Sequence, residues 1–179
     1  MKQYVALLRG INVGGHRKIK MAELRSMCEE IGLSEVQTYI QSGNIIFCSP
    51  LENAETIATK IKDAILATFG HDVITFVIDK EAYERVIVDN PFEEREDPDP
   101  KKLHVCFLYE AVDASLETEL QAVESKRDQV ALRPKALYLY CPDGFGRTKY
   151  TDSVIKRILK TSGTTRNWRS VLKLQEMLQ

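Results

Sequence analysis

The chain has 179 residues with 44% hydrophobic and 28% charged side chains, a composition typical of one or two compact domains of a globular protein. No apolar run approaches the roughly 20 residues of a transmembrane helix, so we expect no membrane partner. The net charge is −1, but residues 1–20 contain basic and no acidic side chains, and residues 144–179 are also predominantly basic. We therefore expect a local positive field at both ends of the chain.

The four cysteines, Cys28, Cys48, Cys106 and Cys141, are far apart and fall within predicted helices or strands. Such cysteines act as small apolar core residues and favour a reducing cytoplasm. The chain has no C-x-x-C motif and no pair of nearby histidines. The sequence therefore predicts no metal site and no bound cofactor.

The first half of the chain alternates between strand and helix patterns. Its predicted elements are, in order, the strand QYVALLRG, the helix KMAELRSMCEEIGL, the strands VQTYI and NIIFC, the helix ENAETIATKIKDAILATFG and the strand VITFVID. The second helix is the clearest, because Ile57, Ile61 and Ile65 recur at helical spacing and Gly70 follows as a stop signal. The resulting β-α-β-β-α-β order is the ferredoxin-like arrangement.

The second half repeats most of this order. Its predicted elements are the strand LHVCFLY, the helix ASLETELQAVES, the hairpin strands QVALR and ALYLYC, the helix DSVIKRILK and a final helix that contains Trp168. We therefore predict an α+β fold of two ferredoxin-like βαββα(β) halves, pseudo-duplicated, at residues 1–79 and 101–179, with an extra C-terminal helix. For residues 80–100 we predict a short helix and an exposed, acidic, proline-rich linker.

The glycine-rich turn after the first strand, GINVGGHRK, is the first candidate site. In a β-α-β-β-α-β unit the chain reverses direction at each element, so this turn and the QSGN turn should lie at one end of the sheet. The candidate ligand-binding residues that would converge there are Arg9, Asn12, Gly14, Gly15, Lys18, Gln41, Ser42 and Asn44. Glycines permit close approach to the backbone, and an arginine beside a helix N-terminus favours a carboxylate or phosphate. The alternative is that these residues only form the two bends.

The basic C-terminal stretch is the second candidate site. We expect TSG to end one helix and Thr164 or Thr165 to cap the next, which gives the outline of a helix-turn-helix. The further candidate binding residues in this region are Lys149, Arg166, Asn167 and Arg169. Arginine and asparagine are the side chains that read guanine and adenine. The alternative is that the tail packs on the body of the protein, with Trp168 as a core residue.

These patterns favour a binding module for an anionic ligand, such as a nucleotide or the phosphate groups of a nucleic acid. The first alternative is a small enzyme that holds its substrate with Arg9, Asn12 and Ser42 and uses Lys149 or Tyr150 as acid or base. The second is a protein-interaction module with a sheet edge or the acidic linker as its surface. No P-loop, dinucleotide fingerprint, nucleophile–base pair or carboxylate pair is present, so enzymatic activity and catalytic residues are left open. The sequence also leaves the oligomeric state open.

Three segments carry a resemblance to a known family. They are residues 4–47, YVALLRGINVGGHRKIKMAELRSMCEEIGLSEVQTYIQSGNIIF; residues 90–92, NPF; and TTRNWRSVLKL near the end. Over nearly its whole length the chain resembles family 1697 of the domains of unknown function. The resemblance implies a small, cytosolic, mostly bacterial α+β protein, and it implies no activity, substrate or cofactor.

Overall fold

The structure is a computed structural model that describes residues 1–92, 99–125 and 127–178. Its contacts divide the chain into two compact units, which are Met1–Glu84 together with Leu174–Gln179, and Arg85–Lys173. Each unit contains one four-stranded antiparallel sheet and several helices. The protein therefore has the predicted α+β fold with two similar halves.

The first unit follows the predicted ferredoxin-like order. Its elements are β1 (Lys2–Leu8), α1 (Met21–Glu30), β2 (Ser34–Tyr39), β3 (Asn44–Ser49), α2 (Ala54–Phe69), β4 (Thr75–Asp79) and α3 (Lys80–Val88), the last of which continues into the second unit. The sheet order is β2-β3-β1-β4, and all neighbouring strands are antiparallel. Helices α1 and α2 share a core with one face of this sheet, to which β1 contributes Tyr4, Ala6 and Leu8.

The longest helix, α2, has sequence signals at both ends and along one face. The Asn53 side chain accepts a hydrogen bond from the backbone N–H three residues later, at 2.8 Å, and caps the N-terminus. Gly70 adopts φ +69° beyond the last turn, a left-handed conformation that costs glycine little. Between these ends, Ile57, Ile61 and Ile65 are buried in the core, as their spacing predicts.

The second unit has the same topology. Its elements are β5 (Leu103–Leu108), a 3₁₀ turn (Ala114–Leu116), α4 (Glu117–Gln121), β6 (Gln129–Arg133), β7 (Ala136–Tyr140), a second 3₁₀ turn (Phe145–Arg147), α5 (Asp152–Leu159), β8 (Gly163–Asn167) and α6 (Trp168–Met177). The sheet order β6-β7-β5-β8 matches β2-β3-β1-β4 strand for strand. Ile155, Ile158 and Leu159 of α5 contribute to a core that also contains Cys106 and Leu108 of β5.

The helix predicted as an extra C-terminal element has a counterpart in the first unit. α6 follows β8 as α3 follows β4, so each copy consists of a βαββαβ unit and a trailing helix. At the start of α3, Asp79 Oδ1 accepts from the Ala82 N–H at 2.7 Å. At the start of α6, Asn167 Oδ1 accepts from the Arg169 N–H at 3.1 Å. The similarity of the two halves thus extends to the way in which the last helix begins.

The short helix predicted at the start of residues 80–100 is present as α3, and the boundary between the units falls within it. The start of the segment expected to be exposed is packed instead. Asn90 and Phe92 are buried, and the Phe92 N–H donates to Asn90 Oδ1 at 3.0 Å. Residues 93–98 of the acidic segment lie outside the described residues.

All four cysteines are buried thiols, as their sequence positions predict. Burial raises the pKa of Cys28 to about 12 and the pKa of Cys141 to about 11. Both thiols are therefore protonated at neutral pH, and they act as apolar core groups rather than as nucleophiles.

Candidate functional site

The connection between β1 and α1, residues 9–20, is held by the side chain of Asn12. Its Oδ1 accepts from the Ile19 N–H at 2.9 Å, and its Nδ2 donates to the Ile19 carbonyl at 2.9 Å. Nδ2 also donates to the Gln41 carbonyl at 2.8 Å. Because Gln41 lies in the turn between β2 and β3, one amide ties the two turns together. The predicted convergence of these turns at one end of the sheet is therefore confirmed.

Residues 12–18, which we call the finger, contain a minimal two-stranded hairpin. The Asn12 N–H donates to the Arg17 carbonyl at 3.2 Å. The His16 N–H donates to the Val13 carbonyl at 3.0 Å, and these two residues form an antiparallel bridge. A connection that the sequence suggested as a bend is thus a small hairpin.

The backbone of the finger turns sharply at its tip and at its base. Gly14 and Gly15 have φ values of +58° and +79°, and a type I′ hairpin turn requires positive values at both central residues. Asn12 and Arg17 also lie in the left-handed region, at +54° and +46°. Residues other than glycine adopt this conformation where the surrounding structure holds them in it. The side-chain bonds of Asn12 therefore keep the finger in one shape.

The finger presents a positively charged surface. His16, Arg17 and Lys18 are exposed, and neither Arg17 nor Lys18 forms an ion pair within the described residues. The first acidic residue of the chain is Glu23, and its carboxylate pairs with Lys20 at 3.0 Å. Among the residues that the structure describes, no acidic side chain therefore pairs with Arg17 or Lys18. Sequence reasoning missed Arg17, although a Gly-Gly pair is a hairpin signal that would have placed it opposite Asn12.

The turn between β2 and β3 serves mainly to hold its own shape. Asn44 is fully buried, and its Nδ2 donates to the Tyr39 carbonyl at 3.0 Å and to Ser42 Oγ at 2.9 Å. A Cβ at Gly43, where φ is +76°, would lie 2.6 Å from the Cβ of Leu8. Four of the predicted ligand contacts at this end of the sheet have amide or hydroxyl side chains. Internal hydrogen bonds engage the side chains of Asn12, Ser42 and Asn44, whereas the Gln41 side chain is exposed.

The two copies of the fold make the same backbone contacts at this end of the sheet. The Leu8 N–H donates to the Gly43 carbonyl at 2.8 Å, and the Leu108 N–H donates to the Lys135 carbonyl at 3.0 Å. The next residues also correspond. The half-buried Arg9 donates its N–H to the Ile74 carbonyl, and Tyr109 donates to the Ser162 carbonyl, both at 3.0 Å.

The connections that follow these matching contacts differ between the copies. Residues 9–20 join β1 to α1, whereas residues 109–113 are enough to join β5 to the next helical turn. The shorter connection contains Glu110 and Asp113 and no basic residue. The finger is therefore an addition that is specific to the first copy.

The predicted helix-turn-helix near the C-terminal end is wrong. Gly163–Asn167 forms β8, which pairs antiparallel with β5, and α6 begins only at Trp168. A Cβ at Gly163 would lie 2.5 Å from the Phe107 carbonyl oxygen, so the glycine permits close approach of the two strands. The glycine and the threonines that follow it build the fourth strand of the sheet, where we expected a turn and a helix cap.

The candidate residues around β8 are used largely within the second unit. Arg166 is half-buried, and its Nη1 donates to a threonine hydroxyl at 2.9 Å and to a carbonyl at 3.0 Å in its own strand. Asn167 Nδ2 donates to the Lys101 carbonyl at 3.0 Å, while its Oδ1 caps α6. Trp168 is buried, as the packing alternative expected, and Arg169 is exposed.

Lys149 lines an open cavity of about 750 Å³ in the second unit. The other lining residues are Glu124, Ser125, Arg127, Asp128, Asp143 and Arg147. These charges are of both signs, and Arg127 already pairs with Asp143 at 2.8 Å. Tyr150, the suggested acid or base beside Lys149, is buried, and its hydroxyl donates to the Leu120 carbonyl at 3.1 Å. Burial raises the pKa of Tyr150, which opposes a role in proton transfer at neutral pH.

Over the described ranges, no group of three or more histidine, cysteine or acidic side chains comes together as metal ligands would. Within the same ranges, no helix combines the length and the apolar character needed to cross a bilayer.

The two four-stranded sheets and the basic hairpin define an α+β protein built from two ferredoxin-like copies, one of which carries an additional charged loop. The model of the family described as "Protein of unknown function (DUF1697)" matches residues 1–138, and the chain therefore belongs to this family. Among solved structures the chain is similar to the conserved bacterial protein SP0830 from Streptococcus pneumoniae, with 25% identity, 99% of each chain covered and a TM-score of 0.77. A comparison with curated proteins found no match. These comparisons establish the family and the fold, and they assign no activity.

Proposed function

We propose that this protein is a binding module for an anionic ligand, a nucleotide or the phosphate groups of a nucleic acid, and that the finger is its contact surface. The observation that carries the proposal is the exposed pair Arg17 and Lys18, which lacks an ion-pair partner among the described residues. Uncompensated cations on a defined surface attract anions, and a guanidinium can bind two phosphate oxygens at once.

The N-terminus of α1 adds to the attraction for an anion. The helix begins at Met21, three residues after Lys18, and no side-chain oxygen caps the backbone N–H groups of its first turn, because the N-cap residue is Lys20. The backbone N–H groups of a helix start carry partial positive charge and bind phosphate in many proteins. Lys20 and Glu23 are an exposed pair, which contributes little to stability and leaves Lys20 accessible.

The second copy of the fold supports a functional role for the finger. That copy closes the equivalent connection with residues 109–113, so the ferredoxin-like topology does not need the longer loop. Long loops that a fold does not require are disproportionately sites of binding or catalysis.

We also place the protein in a bacterial cytoplasm. Four buried thiols suit a reducing compartment, and the similar structure comes from a bacterium.

The two alternative functions have less support. An enzyme that held its substrate through Asn12 and Ser42 would need their polar atoms. Asn12 bonds to Ile19 and Gln41, and Ser42 accepts from Asn44. A sheet edge or the acidic segment as an interaction surface has no particular observation in its favour.

The proposal is tested by fluorescence polarisation with a labelled nucleoside triphosphate and a labelled oligonucleotide over a salt titration. We expect binding that weakens as salt rises, and a loss of at least about tenfold in the Arg17→Gln/Lys18→Gln double variant. The matched control is the Lys2→Gln/Lys60→Gln variant, which removes the same charge from two exposed lysines elsewhere in the first unit, one at the opposite end of β1 from the finger and one on α2, and should bind as the wild type does. Absence of binding at low salt, or equal losses in both double variants, would refute the proposal.

A further inference from the structure

The shape of the finger restricts the kind of anion that it can bind. Residues 13–18 are all exposed, and the Val13 side chain near the tip is 65% exposed, so the finger projects from the surface. Sites for small molecules are concave and enclose most of the ligand. A projecting cationic hairpin instead complements a ligand that supplies the concave surface itself. Among nucleotides and nucleic acids, the groove of a duplex provides such a surface.

A two-stranded ribbon such as the finger fits one kind of groove in particular. Paired strands lie about 4.8 Å apart, and the major groove of B-form DNA, about 12 Å wide and 8.5 Å deep, admits a two-stranded ribbon with its side chains. The minor groove of B-form DNA is about half as wide. The major groove of duplex RNA is deep and too narrow for side chains to read.

The side chains are distributed along the finger as groove entry requires. Gly14 and Gly15 carry no side chains at the tip, the ring of His16 lies 3.7 Å from the Cβ position of Gly14, and Val13 offers an apolar group for contact with thymine methyl groups. The guanidinium of Arg17 lies near the base, 3.6 Å from the position of a Cβ on Gly10. The Lys18 chain extends toward the tip, where its Cε is 4.0 Å from the Cβ position of Gly15. A cation at the base faces the phosphates of a groove rim, and one near the tip faces base edges.

We propose, as a step that rests on the proposed function, that the finger enters the major groove of double-stranded DNA. In this arrangement Val13 and the glycine tip face the base edges, Lys18 reaches the acceptors of guanine, and Arg17 binds backbone phosphate. Because the Asn12 side chain already fixes the hairpin, insertion requires little further ordering of the loop.

The test compares a DNA duplex of about 16 base pairs, long enough for roughly one and a half turns, with its separate strands, the same sequence as duplex RNA, a nucleoside triphosphate and vesicles containing phosphatidylserine. We expect the DNA duplex to bind at least about tenfold more tightly than any other probe at the same salt concentration. We also expect protection of guanine N7, which lies in the major groove, from methylation by dimethyl sulfate.

Three single variants separate the roles of the side chains. Arg17→Gln should make the slope of log K against log salt shallower by about 0.9, the contribution of one phosphate contact. Val13→Ser should lower the affinity for the duplex and leave that slope unchanged, because no charge is lost. Lys60→Gln, remote from the finger on α2, should change neither quantity.

The outcomes distinguish this inference from the function on which it rests. If single strands or the nucleoside triphosphate bind as tightly as duplex DNA through Arg17 and Lys18, groove entry is refuted and anion binding stands. Equal binding of duplex RNA, unprotected guanine N7, or binding to vesicles alone would also refute groove entry. If no nucleotide or nucleic acid binds at low salt, both proposals fail.

Discussion

Asn12 and Asn167 show, at the scale of single residues, how one amide can serve either a ligand or the backbone. Both are sequence candidates for ligand contact. In the structure the Asn12 amide joins two turns, and the Asn167 amide joins the start of β5 to the start of α6. A sequence shows that an amide stands beside a turn, but it does not show which carbonyl lies opposite that amide in space. Residue type therefore identified Asn12 and Asn167 as important polar positions, but it did not predict that their amides bind the backbone.

Asn167 lies beside the buried ring of His104. Asn167 Nδ2 lies 3.3 Å from His104 Nε2, and the same nitrogen donates to the carbonyls of Lys101 and Leu103. The amide NH2 has two hydrogens and three acceptors within reach, so the imidazole competes with the two carbonyls for them. The ring is buried and stacked on Phe145 with a centroid distance of 4.4 Å. Burial is the main cause that lowers the pKa of His104 below its ordinary value of 6.5.

We expect His104 to make the second unit less stable in mild acid. Between the lowered folded pKa and the unfolded value of 6.5, the unfolded chain binds more protons, so the free energy of unfolding falls as the pH drops through this range. Above the unfolded pKa of 6.5 the ring is neutral in both states, and the second unit keeps its full stability with respect to His104. Thermal unfolding at about pH 7.5 and pH 5 should show a larger decrease in midpoint for the wild type than for His104→Gln. Equal decreases in the two proteins would contradict the assignment.

At the scale of elements, the order of strands and helices could be predicted because apolar spacing marks each of them. The convergence of the two turns followed from that order alone. β8 was missed because its threonines and Arg166 lack the apolar alternation of a strand, and the strand is defined by its pairing with β5. The hairpin within residues 9–20 was missed although Gly14-Gly15 is a hairpin signal, because the polar residues beside the pair do not show the alternation of two strands, and the left-handed Asn12 and Arg17 are held by three-dimensional contacts.

We expect Asn12→Ala to release the finger from the turn between β2 and β3. The variant loses three side-chain hydrogen bonds, each worth about 1 kcal/mol, so the free energy of unfolding of the first unit should fall by about 2–3 kcal/mol. Denaturant titration measures this decrease. Anion binding should weaken without a change in salt dependence, because Arg17 and Lys18 remain.

The control for Asn12→Ala is Asn53→Ala, which removes the cap of α2 and about 1 kcal/mol of stability in the same unit. It should leave anion binding unchanged. An Asn12→Ala protein that binds as tightly as the wild type would show that the finger does not need to be held in place.

At the scale of the whole molecule, the chain does not divide into two consecutive domains. α3 begins in the first unit and ends in the second, and α6 begins in the second and ends in the first. Leu174 and Leu178 are fully buried within the final segment of the first unit, and Lys80 Nζ donates to the Leu178 carbonyl at 2.7 Å. Helical spacing predicts that α6 has a buried face, but it does not identify the core that covers this face. α3 and α6 therefore each contribute residues to both units.

We expect Leu178→Ala to destabilise the first unit although it changes a residue at the end of the chain. Removing a buried leucine side chain costs about 2–5 kcal/mol. Amide hydrogen exchange should show faster exchange within residues 1–84. Leu66→Ala, a change at a leucine that is 48% exposed on α2, is the matched control and should have a small effect. Faster exchange confined to residues 85–173 would contradict the assignment of the C-terminal segment to the first unit.

The left-handed residues of the finger also have a kinetic consequence. If the finger binds as proposed, a hairpin that the Asn12 amide already holds in its final shape needs no slow rearrangement before or after the first collision. Association should then be limited by diffusion and long-range attraction, and it should follow a single exponential. In a protein without the Asn12 amide, some molecules would have a disordered loop in place of the hairpin. The observed association rate constant would then fall to the fraction of molecules in which the hairpin is formed.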